Sequence, residues 1–348
     1  MTRRSPSRSF GCGAFRRRGV RTLFEGRGFG RAKQAGNVSG VAPQIHSKPW
    51  REGDMGEILD DLDSRPGSTT SLLRSIIGIY LRELGGWISV GDLLTLMEAL
   101  DVPAPRARTA IARLKKKELL LPEPRDRVAG YRLSDDAVPM LVRGDRRIYH
   151  PRSMQSDSLW CLVSFSIPEE DRHLRHQLRR RLHWIGCGTV SPALWIAPAY
   201  LLDEVEDILV DLDVRDRATV FVAQRPRVAG ALEDAVRQWW DLDAIRAHHD
   251  AFLEQHGSHG SGSGVSSREA FAIYIRSIDT WRVIPYIDPG LPRELLPEDW
   301  PGERSSDLLQ RLRDRFSGPA TDYVSVVTGT RIDNPSRAAS QASRAGMR

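Results

Sequence analysis

From residue 71 onward the apolar positions recur with a helical period. Leu72, Leu73, Ile76, Ile77, Tyr80, Leu81 and Leu84 share one face, and Gly85-Gly86 supplies the stop. Ser89 followed by Asp92 has the form of a capping box, and Leu93, Leu96, Met97 and Leu100 make the stripe of a second, shorter helix closed by Asp101-Val102-Pro103. Pro105 suits the first turn of a third helix, whose narrow stripe is Ala107, Ala110, Ile111 and Leu114. Residues 119–121 then read as a strand, 122–129 as a charged tip and 130–133 as the returning strand.

The pattern next switches to alternating strands and helices. Residues 160–167 read as a strand, 169–184 as a helix, 186–190 and 194–197 as short strands, 201–212 as an acidic amphipathic helix and 219–223 as a last strand. That βαββαβ order predicts a ferredoxin-like sheet with both helices on one face. Beyond it the period is helical again over 238–254, 268–284 and 305–316, with a Gly, Ser and His link at 257–264 and a Pro-rich stretch between 286 and 302. The expected fold class is α+β and multidomain: an N-terminal winged helix-turn-helix over 68–150, a ferredoxin-like middle domain over 156–228 and an all-α C-terminal domain over 232–330. A disordered basic arm over 1–67 and a disordered tail over 331–348 are expected to flank them.

Composition sharpens this division. The 348 residues carry a net charge of +6. Residues 1–53 alone balance at +10, with 12 Lys plus Arg against Glu25 and Glu52, so the remainder is acidic at −4. Arg3 and Arg4 suggest a twin-arginine export signal, but Arg16, Arg17 and Arg18 interrupt the place where its apolar core has to lie. Met55 is the alternative translation start. Mean hydropathy is −0.39, and no apolar run approaches the roughly 18 residues of a membrane span. Three cysteines, Cys12, Cys161 and Cys187, are too dispersed for a metal knuckle and too few for a disulfide scaffold, so a reducing cytoplasm is expected.

The candidate chemistry lies on the third helix and its hairpin. Residues 104–132 hold nine Lys or Arg against three acids. At 100° per residue Arg106, Thr109, Arg113 and Lys117 form one solvent stripe, with Arg108 and Lys115 on the other side of the core stripe. A recognition helix needs guanidinium and hydroxyl groups toward base edges, and a hairpin with positive charge on flanking phosphates. Arg106, Arg108, Thr109, Arg113, Lys116 and Lys117, with Arg125 and Arg127 at the tip, are the expected DNA-binding residues; a solvated basic helix is the plainer alternative. His173, His176 and His183 share one Arg-rich helix without acids or cysteines at ligand spacing, so a surface or interface face is expected there and no metal. His248-His249-Asp250 reads as helix surface. Arg276, Trp281, Arg282 and Tyr286 suit an anionic aromatic ligand, against the commoner explanation of core and surface positions.

Residues 70–325 resemble the phenylacetate-degradation repressor (PaaX) family of bacterial transcription factors. The resemblance rests on Arg108-Thr109-Ala110-Ile111-Ala112-Arg113-Leu114, Arg146-Arg147-Ile148-Tyr149, Leu182-His183-Trp184-Ile185-Gly186-Cys187-Gly188 and Leu194-Trp195-Ile196-Ala197-Pro198. Its most specific block is Asp288-Pro289-Gly290-Leu291-Pro292 with Leu295-Leu296-Pro297-Glu298-Asp299-Trp300-Pro301-Gly302. It implies a dimeric, non-enzymatic, cytoplasmic and nucleoid-associated repressor of a catabolic operon, without a cofactor. Such a repressor binds a palindromic double-stranded operator and is released by an aryl-CoA thioester. Two departures stand out: the unmatched arm, and Trp281-Arg282-Val283 where the family more usually carries Tyr-Arg-Arg. The competing class is a metal-dependent nuclease, because CRISPR-associated nucleases share the ferredoxin-like fold. It is disfavoured because the first strand ends Val163-Ser164-Phe165-Ser166-Ile167, without the carboxylate that holds the divalent cation.

Overall fold

A computed structural model describes residues 65–260 and 264–332. The expectations for Met55 and Cys12, and for nearly all of the basic arm and of the C-terminal tail, lie outside the described residues; the last residues of the expected arm, 65–67, are described and ordered, with Gly67 bonded to Asp279.

Helix α1 (Thr69–Ile76) starts at Ser68, whose hydroxyl accepts the Ser71 N–H at 3.2 Å, and runs on through a π-helical stretch, Ile77–Leu81. Gly85 and Gly86, at φ +72° and +77°, end it, a conformation most side chains resist. A strand that no periodicity announces, β1 (Trp87–Ser89), leads into α2 (Val90–Glu98), where Ser89 Oγ accepts the Asp92 N–H at 3.0 Å. Then come α3 (Ala104–Lys116), β2 (Leu120–Pro122), β3 (Gly130–Leu133) and α4 (Ala137–Tyr149). The three strands form one antiparallel sheet in the order β1-β3-β2.

The middle part is β4 (Trp160–Phe165), α5 (Arg172–Trp184), β5 (Gly188–Ser191), β6 (Leu194–Pro198), α6 (Leu202–Asp211) and β7 (Ala218–Ala223). The strand order β5-β6-β4-β7, with every pair antiparallel, is the ferredoxin-like arrangement. Cys161, Val163 and Phe165 face Leu178 and Leu182 of α5 and Val205 and Ile208 of α6. The other sheet face is covered too, because Trp160 and Ile196 pack with Leu232, Val236 and Trp240. Burial on both sides explains why β4 reads as a nearly continuous apolar run.

The C-terminal part comprises α7 (Leu232–Trp239), α8 (Leu242–His256), α9 (Ser267–Trp281), the short α10 (Ile284–Ile287) and α11 (Gly302–Thr328). The helix expected over 238–254 is instead broken at Trp240. Asp241 starts a new helix by accepting the Ala244 N–H at 3.0 Å, while the extended Trp240 sends its indole N–H to the Gly186 carbonyl at 2.8 Å. The last helix, expected over 305–316, continues through Pro319 because it packs along α9.

The first and last parts are not separate beads. Leu73, Ile76, Leu93 and Leu96 belong to one buried cluster with Phe271, Ile275, Leu312 and Phe316. A buried polar knot reinforces this junction. Asp279 of α9 accepts from the Gly67 N–H at 2.6 Å, from the Ser71 hydroxyl at 2.5 Å and from the Ser75 hydroxyl at 2.9 Å. Arg282 reaches Asp279 at 3.3 Å and Ser71 Oγ at 2.7 Å.

Candidate nucleic-acid interface

The inner face of α3 is Ala107, Ala110, Ile111 and Leu114, all buried. Small residues at the first two positions bring the helix axis close to its neighbours, and the remaining positions point outward as a set. Arg106, Arg108, Thr109, Arg113 and Lys116 are all exposed, and Lys117, at the C-cap, is half-buried. Thr109 is exposed, and its Oγ1 donates to the Pro105 carbonyl at 3.1 Å, which engages its one O–H and leaves the oxygen able to accept. Lys115 lies over the Tyr131 ring at 5.8 Å, tying α3 to the sheet.

The hairpin tip is tightly built. Arg125 and Val128 exchange backbone hydrogen bonds of 3.0 and 2.8 Å around Asp126 and Arg127, whose φ angles are +48° and +67°. Two consecutive positive φ values make a type I′ turn, the kind that matches strand twist but usually demands Asn or Gly. Here two charged residues accept that conformation, so both are projected into solvent. Arg127 is exposed; Arg125 pairs with Glu123 at 2.7 Å and lies 5.2 Å from the Trp87 ring centroid. Trp87 holds the hairpin base, since its indole N–H donates to the Glu123 carbonyl at 2.7 Å. Sequence reasoning missed Trp87, because β1 is only three residues long and is recognisable only by its pairing with β3.

The four expected ligand residues do not all meet at one cavity. Trp281 is buried and donates to the Ile148 carbonyl at 2.9 Å. Arg282 belongs to the Asp279 knot, and Arg276 reaches across to Leu100 and Asp101 at 2.9 and 3.0 Å. Arg282 borders a small cavity of about 80 Å³, while Tyr286 borders both that one and a larger cavity of about 260 Å³. Three of the four thus serve the junction between the first and last parts. His249 also departs from its expected surface place. It is buried between Asp288 Oδ2, 2.9 Å from Nε2, and Ser305 Oγ, 2.6 Å from Nδ1. A serine, a histidine and an aspartate in line have the composition of a hydrolytic triad, but Ser305 is fully buried and its hydroxyl donates to the Gly302 carbonyl. The cluster fastens the Pro-rich block to α8 and α11. His173, His176 and His183 lie exposed along α5.

These positions can be set beside known proteins. Residues 68–137 match the description "PaaX-like protein", residues 153–236 the "PaaX protein central Cas2-like domain" and residues 240–326 the "PaaX-like protein C-terminal domain". The chain is also 30% identical over 268 residues to the transcriptional repressor PaaX of Escherichia coli strain K12, across 75% of this chain and 84% of that one. The chain belongs to the PaaX family. A solved structure, the uncharacterized protein Rv0674 from Mycobacterium tuberculosis, covers 72% of this chain and 96% of its own at 22% identity, with a TM-score of 0.48. The Asp288-Pro289-Gly290-Leu291-Pro292 segment of this PaaX-family chain has a structural basis. In it Asp288 Oδ1 accepts the Gly290 N–H at 2.8 Å, and the Gly290 carbonyl accepts from Met154 at 2.7 Å. Gly290 has φ +59°, and a Cβ there would stand 2.3 Å from the Arg152 carbonyl oxygen, so the knot excludes any side chain. Among the described residues no helix is long and apolar enough to cross a membrane.

Proposed function

We propose that this protein is a DNA-binding transcriptional repressor whose N-terminal unit is a winged helix-turn-helix. One observation carries the reading: α3 turns a row of exposed cationic and hydroxyl side chains outward over a closely packed inner stripe, beside a hairpin whose tip projects Arg127. The E. coli relative's role as a repressor supports it. Arg106, Thr109 and Arg113 meet base edges in the major groove, Arg108, Lys116 and Lys117 grip the adjacent backbone, and Arg125 and Arg127 hold flanking phosphates. The repressor acts in the cytoplasm as a homodimer on a palindromic operator, since a two-fold axis in the protein demands one in the site. An effector resembling an aryl-CoA thioester lowers DNA affinity by binding the released conformation more tightly.

The nuclease reading has little to build on. Of the three acids after β4, Glu169 pairs with Arg175 and Asp171 with Arg217, both at 2.6 Å, and Glu170 is exposed. Labelled DNA should persist with the protein and magnesium.

The test is a gel shift on the DNA upstream of the protein's own coding sequence. A lost base contact costs about 1–3 kcal/mol, roughly 5- to 150-fold in affinity. Arg113→Ala combined with Arg108→Ala should therefore weaken binding at least tenfold. Wild-type affinity in the double variant would overturn the assignment of α3. Lys116→Ala should weaken binding to all sequences alike and reduce the slope against log salt by about one.

A further inference from the structure

Helix α4 follows the hairpin directly and carries Arg143, Arg146, Arg147 and His150 at spacings of three and four, a single row along the helix. That row borders the cavity of about 260 Å³, where α4, the middle domain and the segment around Pro285 and Pro289 meet. Arg147 is the staple of this meeting point. Its guanidinium pairs with Glu204 of α6 at 2.6 Å, donates to the Ile185 and Pro285 carbonyls at 3.3 Å each, and lies 4.8 Å from the Tyr286 ring centroid. One side chain thereby links all three parts of the molecule.

Two other guanidinium groups at the cavity have no such engagement. Arg146 is exposed, and Arg152, also exposed, lies 5.8 Å from the Tyr200 ring centroid; no described carboxylate pairs with either. The cavity's own acids are differently placed. Glu204 is held by Arg147, Asp288 by His249 and the Gly290 N–H, and Asp203 and Asp207 are exposed along α6. Trp184, Tyr200 and Tyr286 also line the walls, with the Arg152 guanidinium over the Tyr200 ring and that of Arg147 over the Tyr286 ring. Cationic planes beside aromatic faces suit a ligand that combines negative charge with a flat apolar portion. The volume lies just under the roughly 300–1,000 Å³ of small-molecule sites, so the cavity holds a ring and its linkage, with bulkier polar groups of the ligand outside.

We propose that this cavity is the effector site: it takes an organic anion bearing an aryl or similarly flat group, with Arg146 and Arg152 receiving the negative charge. An anion seated there competes with Glu204 for Arg147. Loss of that pair frees α4, and with it the DNA-contacting unit, from the middle domain. The ligand then favours a second orientation of α3, as differential affinity requires. The proposal rests on the reading that DNA affinity is ligand-controlled, and relocates the ligand away from Arg276, Trp281 and Arg282.

Isothermal titration of the full chain without DNA tests it, with phenylacetyl-CoA, coenzyme A and phenylacetate as separate probes. At least one probe should bind the wild type, and Arg146→Ala with Arg152→Ala should weaken it tenfold or more. Both positions are exposed, so the melting curve should not move. Glu204→Gln should bind the same probe at least as tightly and release operator DNA at a several-fold lower concentration. Coenzyme A binding alone assigns the recognition to phosphate, and phenylacetate alone to an aryl carboxylate. Silence of all three probes on the wild type, or unchanged affinity in the double arginine variant, overturns the proposal. A gel shift without ligand keeps the two readings apart: its failure counts against DNA binding and leaves the titration standing.

Discussion

The buried knot at Asp279 gives the sharpest test of how this fold is held. Asp279→Ala removes the carboxylate that accepts from Gly67, Ser71 and Ser75 and pairs with Arg282. The Asp279 side chain is 1% exposed and that of Arg282 10%, so water cannot replace the lost partner. Breaking a buried ion pair by deleting one member costs about 3–5 kcal/mol, because the remaining charge is stranded. The hydroxyls of Ser71 and Ser75 lose their acceptor as well, so the upper half of that range is expected. Urea unfolding followed by tryptophan fluorescence measures it, since Trp281 stands in the same helix. Asp279→Leu with Arg282→Met should recover most of the loss, as apolar replacement of a buried pair is often neutral. If Asp279→Ala costs less than about 1 kcal/mol, the knot does not hold α1 to α9 as argued. The expected functional consequence is lower DNA affinity in the single variant, restored in the double one.

Gly130→Ala should cripple the hairpin, because its Cβ would meet the Trp87 ring at 2.3 Å and the Ile88 carbonyl at 2.8 Å; weakened operator binding and a lower melting temperature are the readouts. His256 provides a pH signature. Burial, then His259 and Arg276, push it from 6.5 down to about 4, so between those values the unfolded chain takes up a proton that the folded one refuses. Stability is therefore full above pH 6.5 and falls on acidification toward 4, by up to about 1.4 kcal/mol per unit. His256→Leu should flatten melting temperature against pH in that window, and an unchanged slope would refute the assignment. Burial holds the Cys161 thiol up at about 11 and that of Cys187 well above its usual value, and both are buried. In a Cys12→Ser variant neither should react with a thiol reagent at pH 8 until denaturant is added; rapid labelling of the native protein would contradict this.

What could be read from the chain alone follows from local rules. Apolar spacing marked α1, α2 and α3, Gly85-Gly86 marked the stop, and the order of strands and helices from 160 to 223 marked the ferredoxin-like sheet. The row of basic residues on α3 was equally legible, because a helix's outer face follows once its inner stripe is known. The break at Trp240 was not legible, since a long apolar spacing runs through it and the partners of that indole, the Gly186 carbonyl and Trp160, lie more than fifty residues away. Arg143, Arg146 and Arg147 carried a basic helical spacing that was open to notice, but nothing local says that Glu204 and Tyr286 stand opposite.

The sequence by itself determined which segments fold into which elements, and which face of each seeks cover, because periodicity and capping act within a few residues. Tertiary structure decided the rest: that the first and last helices share a core, that His249 and Trp281 are interior, and that arginines gather at one cavity. Partners for buried charge and for apolar stripes come from chain segments up to some two hundred residues away, as with Ser71 and Asp279. No local pattern encodes which of many suitable faces will meet; packing the whole chain at once selects it.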